Sequence, residues 1–221
     1  MSQTLAFDIY GTLIDTQGVN KQLEHLVGDK AIEFSNLWRS KQLEYSFRRG
    51  LMRDYQDFSI CTLQALQFCC KAMDVKISDS NIESLMQTYR ILPAFSDVVP
   101  CLTLARSLNI QLVAFSNGSA EAVNELLQHA GIRDYFSEVV SVEELKTFKP
   151  NPDVYQYLLS RCQSNVAETW LVSGNPFDIL GAANVGLHTA WIKRSNDAVF
   201  DPWGVNPTIT LSGLDQLAES I

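Results

Sequence analysis

The stretch that decides the fold is FDIYGTLIDT, Phe7 to Thr16. Leu5-Ala6-Phe7 is a short apolar run of the kind a buried strand shows, and it delivers Asp8 just before the turn at Gly11. Taken alone, an aspartate at a strand end is as well read as a turn cap. Outward from Thr16, as far as Phe95, the spacing of apolar residues becomes helical. Ile82, Leu85, Met86 and Tyr89 fall at i, i+3, i+4 and i+7 behind a capping pair, Ser78 and Asp79. Leu63, Leu66, Cys70 and Met73 form a second stripe, and Asp29 is expected to cap a third helix carrying Phe34, Leu37, Trp38 and Tyr45. Pro93 closes this helical region.

Beyond Ser96 the pattern alternates. Strands are predicted at Ile110–Phe115, Val139-Val140, Trp170–Val172, Thr189–Ile192 and Thr208–Leu211. Helices are predicted near Val98–Ser107, through Ala122, Val123 and Leu126 up to Gly131, over Pro152–Cys162, and from Asp178 to Gly186. Continuous apolar strands alternating with helices imply a parallel sheet covered on both faces. The expected fold is therefore α/β, a Rossmann-like parallel sheet with an inserted helical cap. Residues 1–15 and 96–221 would form the catalytic core and residues 16–95 the cap.

Bulk composition narrows the function. At 221 residues the chain suits one large domain, or a core with a modest insertion. Seventeen basic against 25 acidic residues give a net charge of −8, which argues against nucleic acid or an anionic membrane as partner. No run approaches the roughly 20 apolar residues of a membrane helix, and the start lacks a signal-type segment, so a cytoplasmic protein is expected. Five cysteines without a C-x-x-C pair read as reduced core residues, and the scattered His25, His129 and His188 have no ligand-like spacing for zinc.

Ligands of open parallel sheets bind beyond the carboxyl ends of the strands. Four polar clusters fall there or just after: Asp8 with Thr12, Ser116-Asn117, Lys149, and Ser173 through Asp178. Singly, Ser-Asn-Gly is a common turn and Lys-Pro an ordinary loop. Their joint order is the signal.

The set D-x-Y-G-T, S-N-G, K-P and S-x-N-x-x-D, with LWRSKQLEY from Leu37 to Tyr45, resembles the haloacid dehalogenase superfamily across essentially the whole chain. Its tyrosine-containing first motif is similar to the L-2-haloacid dehalogenase branch. Phosphatases of the superfamily carry a second aspartate two residues after the nucleophile, to protonate an alkoxide. Here that position is Tyr10, and a departing halide needs no proton. Phosphatases also place a metal-binding aspartate where Val172–Asp178 has Gly174, so a hard cation loses a carboxylate ligand. No metal and no cofactor are expected.

The resemblance implies attack by Asp8 on C2 of a short (S)-2-haloalkanoic acid, then hydrolysis of the aspartyl ester to an (R)-2-hydroxy acid. It assigns Arg39, Asn117 and Phe177 to the halide, Thr12, Ser173 and Asn175 to orienting Asp8, and Asp178 with Lys149 to the hydrolytic water. Ser116 would take the substrate carboxylate, Tyr155 would support Lys149 or Asp178, and Tyr10, Leu43 and Phe58 would line the apolar pocket. Arg39 has a plainer reading as an ion pair with Glu33 or Glu44, and Phe177 as core packing. Ser40, Gly174 and Phe177 depart from residues that some relatives carry. A homodimer is implied by analogy. The alternatives are a magnesium-dependent phosphatase of small metabolites and a non-catalytic binding protein on the same fold.

Overall fold

A computed structural model describes residues 3–221. Six strands form one sheet: β1 (Thr4–Asp8), β2 (Gln111–Ser116), β3 (Glu138–Ser141), β4 (Thr169–Ser173), β5 (His188–Ile192) and β6 (Ile209–Leu211). Their order is β3-β2-β1-β4-β5-β6, and every pairing is parallel. The order runs one way to β1 and the other way from it, so the topological reversal sits at the strand that carries Asp8.

Alternation along the strands covers both faces. Leu5 and Phe7 of β1 point into one core while Ala6 points into the other, and Leu112 and Ala114 of β2 separate from Val113 and Phe115 in the same way. Helices α5 (Val98–Ser107) and α6 (Ala120–His129) cover the first face; α7 (Pro152–Cys162) and α8 (Pro176–Asn184) cover the second. The boundaries predicted for α5 and α7 match those observed.

Between β1 and β2 lie α1 (Asn20–Val27), α2 (Ala31–Met52), α3 (Phe58–Ala72) and α4 (Asp79–Tyr89). The Ser78 side chain caps α4 as expected, accepting from the Asn81 N–H, and Leu85 and Tyr89 are its buried residues. Asp29 caps nothing: it lies in a 3-10 turn, and Lys30 stands at the start of α2 without a side-chain cap. The α3 stripe is also turned from the expected one. Cys61, Ala65, Leu66 and Cys69 are buried, while Leu63 and Cys70 are only half-buried. Between α2 and α3, Trp38 Nε1 donates to the Thr62 carbonyl at 2.8 Å and the Tyr45 ring meets Phe68 edge to face. The chain leaves and rejoins the core at a single place. Asp15 donates to Pro93 O at 2.9 Å, Phe95 donates to Leu13 O at 3.0 Å, and Ile14 bridges Ala94 antiparallel.

Candidate active site

Strand register assembles the site. Asp8 stands beside Phe115 in the pairing of β1 with β2, and Phe7 beside Val172 in that with β4, so Asp8, Ser116 and Ser173 end at one edge of the sheet. Asp8 is 7% exposed. Its two oxygens differ. Oδ2 accepts from Thr12 Oγ1 (2.8 Å), Ser173 Oγ (3.2 Å) and Asn175 Nδ2 (2.6 Å). Among the described residues, Oδ1 accepts from Lys149 Nζ alone, at 3.1 Å.

Lys149 comes from the loop before α7 and is 1% exposed. Its ammonium uses three donors, to Asp8 Oδ1, to Asp178 Oδ2 (2.8 Å) and to the Phe115 carbonyl (2.9 Å), and sits 4.0 Å over the Phe115 ring. Burial works to raise the Asp8 pKa, but the charge of Lys149 and the hydrogen bonds from Thr12 and Lys149 outweigh it and hold Asp8 below the ordinary carboxylate range. Asp178, in the first turn of α8, goes the other way. Burial and the nearby Asp8 charge push its pKa up to about 6, against the pull of Lys149 and Tyr155. Tyr155 on α7 is fully buried and donates to Asp178 Oδ1 at 2.7 Å. Two carboxyls thus share one ammonium with their titrations pushed apart, the arrangement that separates a nucleophile from a base.

The expected residues gather unequally. Thr12, Ser173, Asn175, Lys149, Asp178 and Tyr155 form one hydrogen-bonded group around Asp8. Asn117 accepts the Lys149 backbone N–H on Oδ1 (2.9 Å), which turns its amide NH2 away from that bond, and Ser116 Oγ accepts from Gly118 N–H. Arg39 does not pair with Glu33 or Glu44; its guanidinium donates to Tyr10 O (3.3 Å), Asn175 Oδ1 (3.4 Å) and Gln42 Oε1 (2.6 Å). The Tyr10 ring lies 6.1 Å from Phe58 and 5.9 Å from Tyr89, centroid to centroid, and burial raises its phenol pKa. Leu43 is half-buried on α2. Phe177 meets Phe47 edge to face and lines an apolar cavity of about 800 Å³ that also touches Lys149 and Trp203.

Residues outside the expected set complete the frame. A Cβ at Gly181 would collide with the Tyr155 hydroxyl, so glycine there makes room for the ring; a glycine inside a helix is the signal that marks it. Arg194 ties Asp97 (2.6 Å) to the carbonyl of Thr12. Gln42, buried, adjoins Arg39 and is bonded in turn to the buried Thr62.

The donor set does not suit a divalent cation. The Lys149 ammonium already bridges Asp8 and Asp178. At position 174 even a Cβ would fall well inside contact distance of the Gly11 carbonyl oxygen, so no third carboxylate has space there. Among the described residues no cluster of His, Cys, Asp or Glu has metal-ligand geometry, and no helix is long and apolar enough to cross a membrane.

A family model described as haloacid dehalogenase-like hydrolase matches residues 3–186. The chain is 34% identical over 213 residues to (S)-2-haloacid dehalogenase 2 of Pseudomonas sp. strain CBS-3, covering 96% of this chain and 93% of that protein. It is 33% identical to the (S)-2-haloacid dehalogenase of Pseudomonas sp. strain YL, with 97% and 92% covered. The structure of L-2-haloacid dehalogenase from Xanthobacter autotrophicus with chloropropionic acid covalently bound superposes with a TM-score of 0.92 at 28% identity, over 99% of this chain and 98% of that one.

Proposed function

Because the chain belongs to the haloacid dehalogenase-like hydrolases, we propose that it is an (S)-2-haloacid dehalogenase, a hydrolase that cleaves the C2–halogen bond of short 2-haloalkanoic acids. The observation that carries the reading is the asymmetry of Asp8. Among the described residues three donors fasten Oδ2, while Oδ1 meets Lys149 alone.

Asp8 Oδ1 attacks C2 opposite the halogen; the new C2–O bond forms as the C2–halogen pair leaves with halide. Arg39, the Asn117 amide and the edge of Phe177 receive the halide. Ser116 and neighbouring backbone N–H groups hold the substrate carboxylate, while Tyr10, Leu43 and Phe58 enclose the alkyl chain. Water then adds to the Asp8 carbonyl carbon and gives its proton to Asp178, whose pKa of about 6 leaves it basic at neutral pH. Negative charge developing on Oδ2 falls on the same three donors, Thr12, Ser173 and Asn175. Collapse breaks the ester bond to Oδ1; the leaving alkoxide takes back the proton held by Asp178 and departs as the hydroxy acid, the other proton of the water passes to solvent as Asp8 re-ionises, and C2 has been inverted once. The product is the (R)-2-hydroxy acid.

The helical block at 16–95 serves as a cap over a core of residues 1–15 and 96–221, since its α2 supplies Arg39 to the edge of β1. A phosphatase reading lacks both the acid at position 10 and space for a carboxylate at 174. The five free cysteines fit a cytoplasmic enzyme, and the exposed Leu51, Met52 and Trp203 fit a homodimer.

The test is halide release from each enantiomer of 2-chloropropionate in EDTA, with Asp8→Asn alongside. Release from the (S) form alone, lost in the variant, is expected. No release from either form, with magnesium-dependent cleavage of a generic phosphate ester, would sink the proposal.

A further inference from the structure

A glutamine without exposed surface, midway along a helix, needs a reason, because a buried amide left unpaired is destabilising. Gln42 is such a residue, one helical turn after Trp38 and one before Ser46, all three buried on one face of α2. It belongs to a directed chain of hydrogen bonds. Thr62 on α3 gives its only hydroxyl proton to the Phe58 carbonyl, at 2.9 Å. The Thr62 oxygen can therefore only accept from Gln42, and Gln42 Nε2 donates to it at 2.6 Å. That fixes which way the amide faces: Oε1 is turned to Arg39 and accepts Nη1 at 2.6 Å. Trp38 Nε1 donates to the Thr62 backbone carbonyl at 2.8 Å, so the two helices cannot slide past one another without breaking the chain.

We infer that Gln42 and Thr62 are positioning residues for Arg39: the chain from Phe58 through Thr62 and Gln42 sets the orientation of the guanidinium that receives the departing halide. The halide role of Arg39 rests on the dehalogenase reading above. The opposite edge of the guanidinium, Nη2, makes long contacts to Tyr10 O and Asn175 Oδ1, at 3.3 and 3.4 Å. The short bond to Gln42 therefore defines the pose, and Nη2 remains available to an anion. Because charge reaches the halogen only as the C2 bond breaks, mispositioning acts on kcat more than on KM.

The experiment uses the full-length protein with Gln42→Leu, Thr62→Val and Thr62→Ser. Rates are taken across (S)-2-chloropropionate concentrations, with bromide as inhibitor and melting measured in parallel. Thr62→Val keeps the shape of the side chain but lets the Gln42 amide turn over. It is expected to lower kcat about 10-fold with KM within about threefold, and Gln42→Leu about 10²-fold, below or at the loss of a direct donor. Bromide inhibition should weaken in step, and Thr62→Ser should restore both. The inference is overturned if Thr62→Val retains wild-type kcat and bromide sensitivity, or if Thr62→Ser is as impaired as Thr62→Val. Should the wild type release no halide, the dehalogenase reading fails, and bromide binding by calorimetry judges the positioning separately. Weaker binding to Thr62→Val than to wild type sustains it; equal affinity, or none to the wild type, overturns it.

Discussion

Replacing Lys149 by methionine keeps the length of the side chain and removes the one charge that Asp8 and Asp178 share. At the observed separations of 3.1 and 2.8 Å, each contact is worth about 5–6 kcal/mol with an effective dielectric constant near 20, before desolvation is set against it. Breaking a buried pair of this kind destabilises by about 3–5 kcal/mol, because the remaining charges are left buried and uncompensated. The pH dependence gives the claim its edge. In the wild type Asp8 has a lowered pKa, so its contribution is present above the unfolded value of 3.8 and is lost as pH falls through the folded one. Without Lys149 both carboxyls become raised, and each then withdraws stability as pH climbs above 3.8. The stability gap between wild type and variant should therefore be about 3–5 kcal/mol at neutral pH and should shrink by more than half toward about pH 4. Urea unfolding at a series of pH values measures it, with rapid-quench mass spectrometry following the aspartyl ester. Formation of the ester should slow at least about 10³-fold, since Asp8 would no longer be held ionised and aligned. A gap that stays constant with pH, or a variant that forms ester at more than about a tenth of the normal rate, would refute the account of Lys149 as the shared counter-ion.

Ester hydrolysis should show an acid limb near pH 6, falling as Asp178 takes up its proton. Tyr155→Phe removes a donor to the ionised form of Asp178, so the limb should move to higher pH; a limb that stays or moves to lower pH contradicts the assignment of the base. Gly174→Ala presses a methyl group against the Gly11 backbone and should cost about 1–3 kcal/mol in urea unfolding, whereas unchanged stability would show that the two loops can part. Gly174→Asp should confer no magnesium-dependent phosphatase activity, measured on a generic phosphate ester.

Much of this arrangement can be read from single elements. The sheet is legible because each strand is a continuous apolar run, and the strand-end residues Asp8, Ser116, Asn117, Ser173 and Asn175 follow from it once the strands are parallel. Helix α1 is hard to read for its brevity: Leu23, Leu26 and Val27 fall at i, i+3 and i+4, but eight residues hold no more than this one short stripe, of which Leu23 alone is fully buried. The α3 face misleads because Leu63 and Met73 look like core residues, while the side chains that are fully buried include the small Cys61, Thr62, Ala65 and Cys69, whose apolar signal is weaker. The Asp29 cap misleads because a 3-10 turn runs into α2 without a break and presents no bare helix start at that residue. The Gln42–Thr62 pair is invisible for another reason. Each residue has an ordinary local context, and its meaning lies in a partner 20 positions away. Tyr155 and Gly181 are likewise separated in sequence and meet only when α7 and α8 pack side by side.

The doorway formed by Leu13, Ile14 and Asp15 against Pro93, Ala94 and Phe95 has a consequence for how such a molecule can change over generations. Seen from the sheet, the whole excursion of residues 16–95 departs and returns at the same spot, so its ends impose no span that the helices must match. Lengthening or shortening an excursion whose ends already touch costs little, about 0.6 kcal/mol per doubling of a flexible loop. The sheet with Asp8, Lys149 and Asp178 can thus remain unaltered while the part that brings Arg39, Leu43 and Phe58 is exchanged, retuned or enlarged. On the proposed function, substrate choice and bond-breaking chemistry are inherited on separate parcels of one chain.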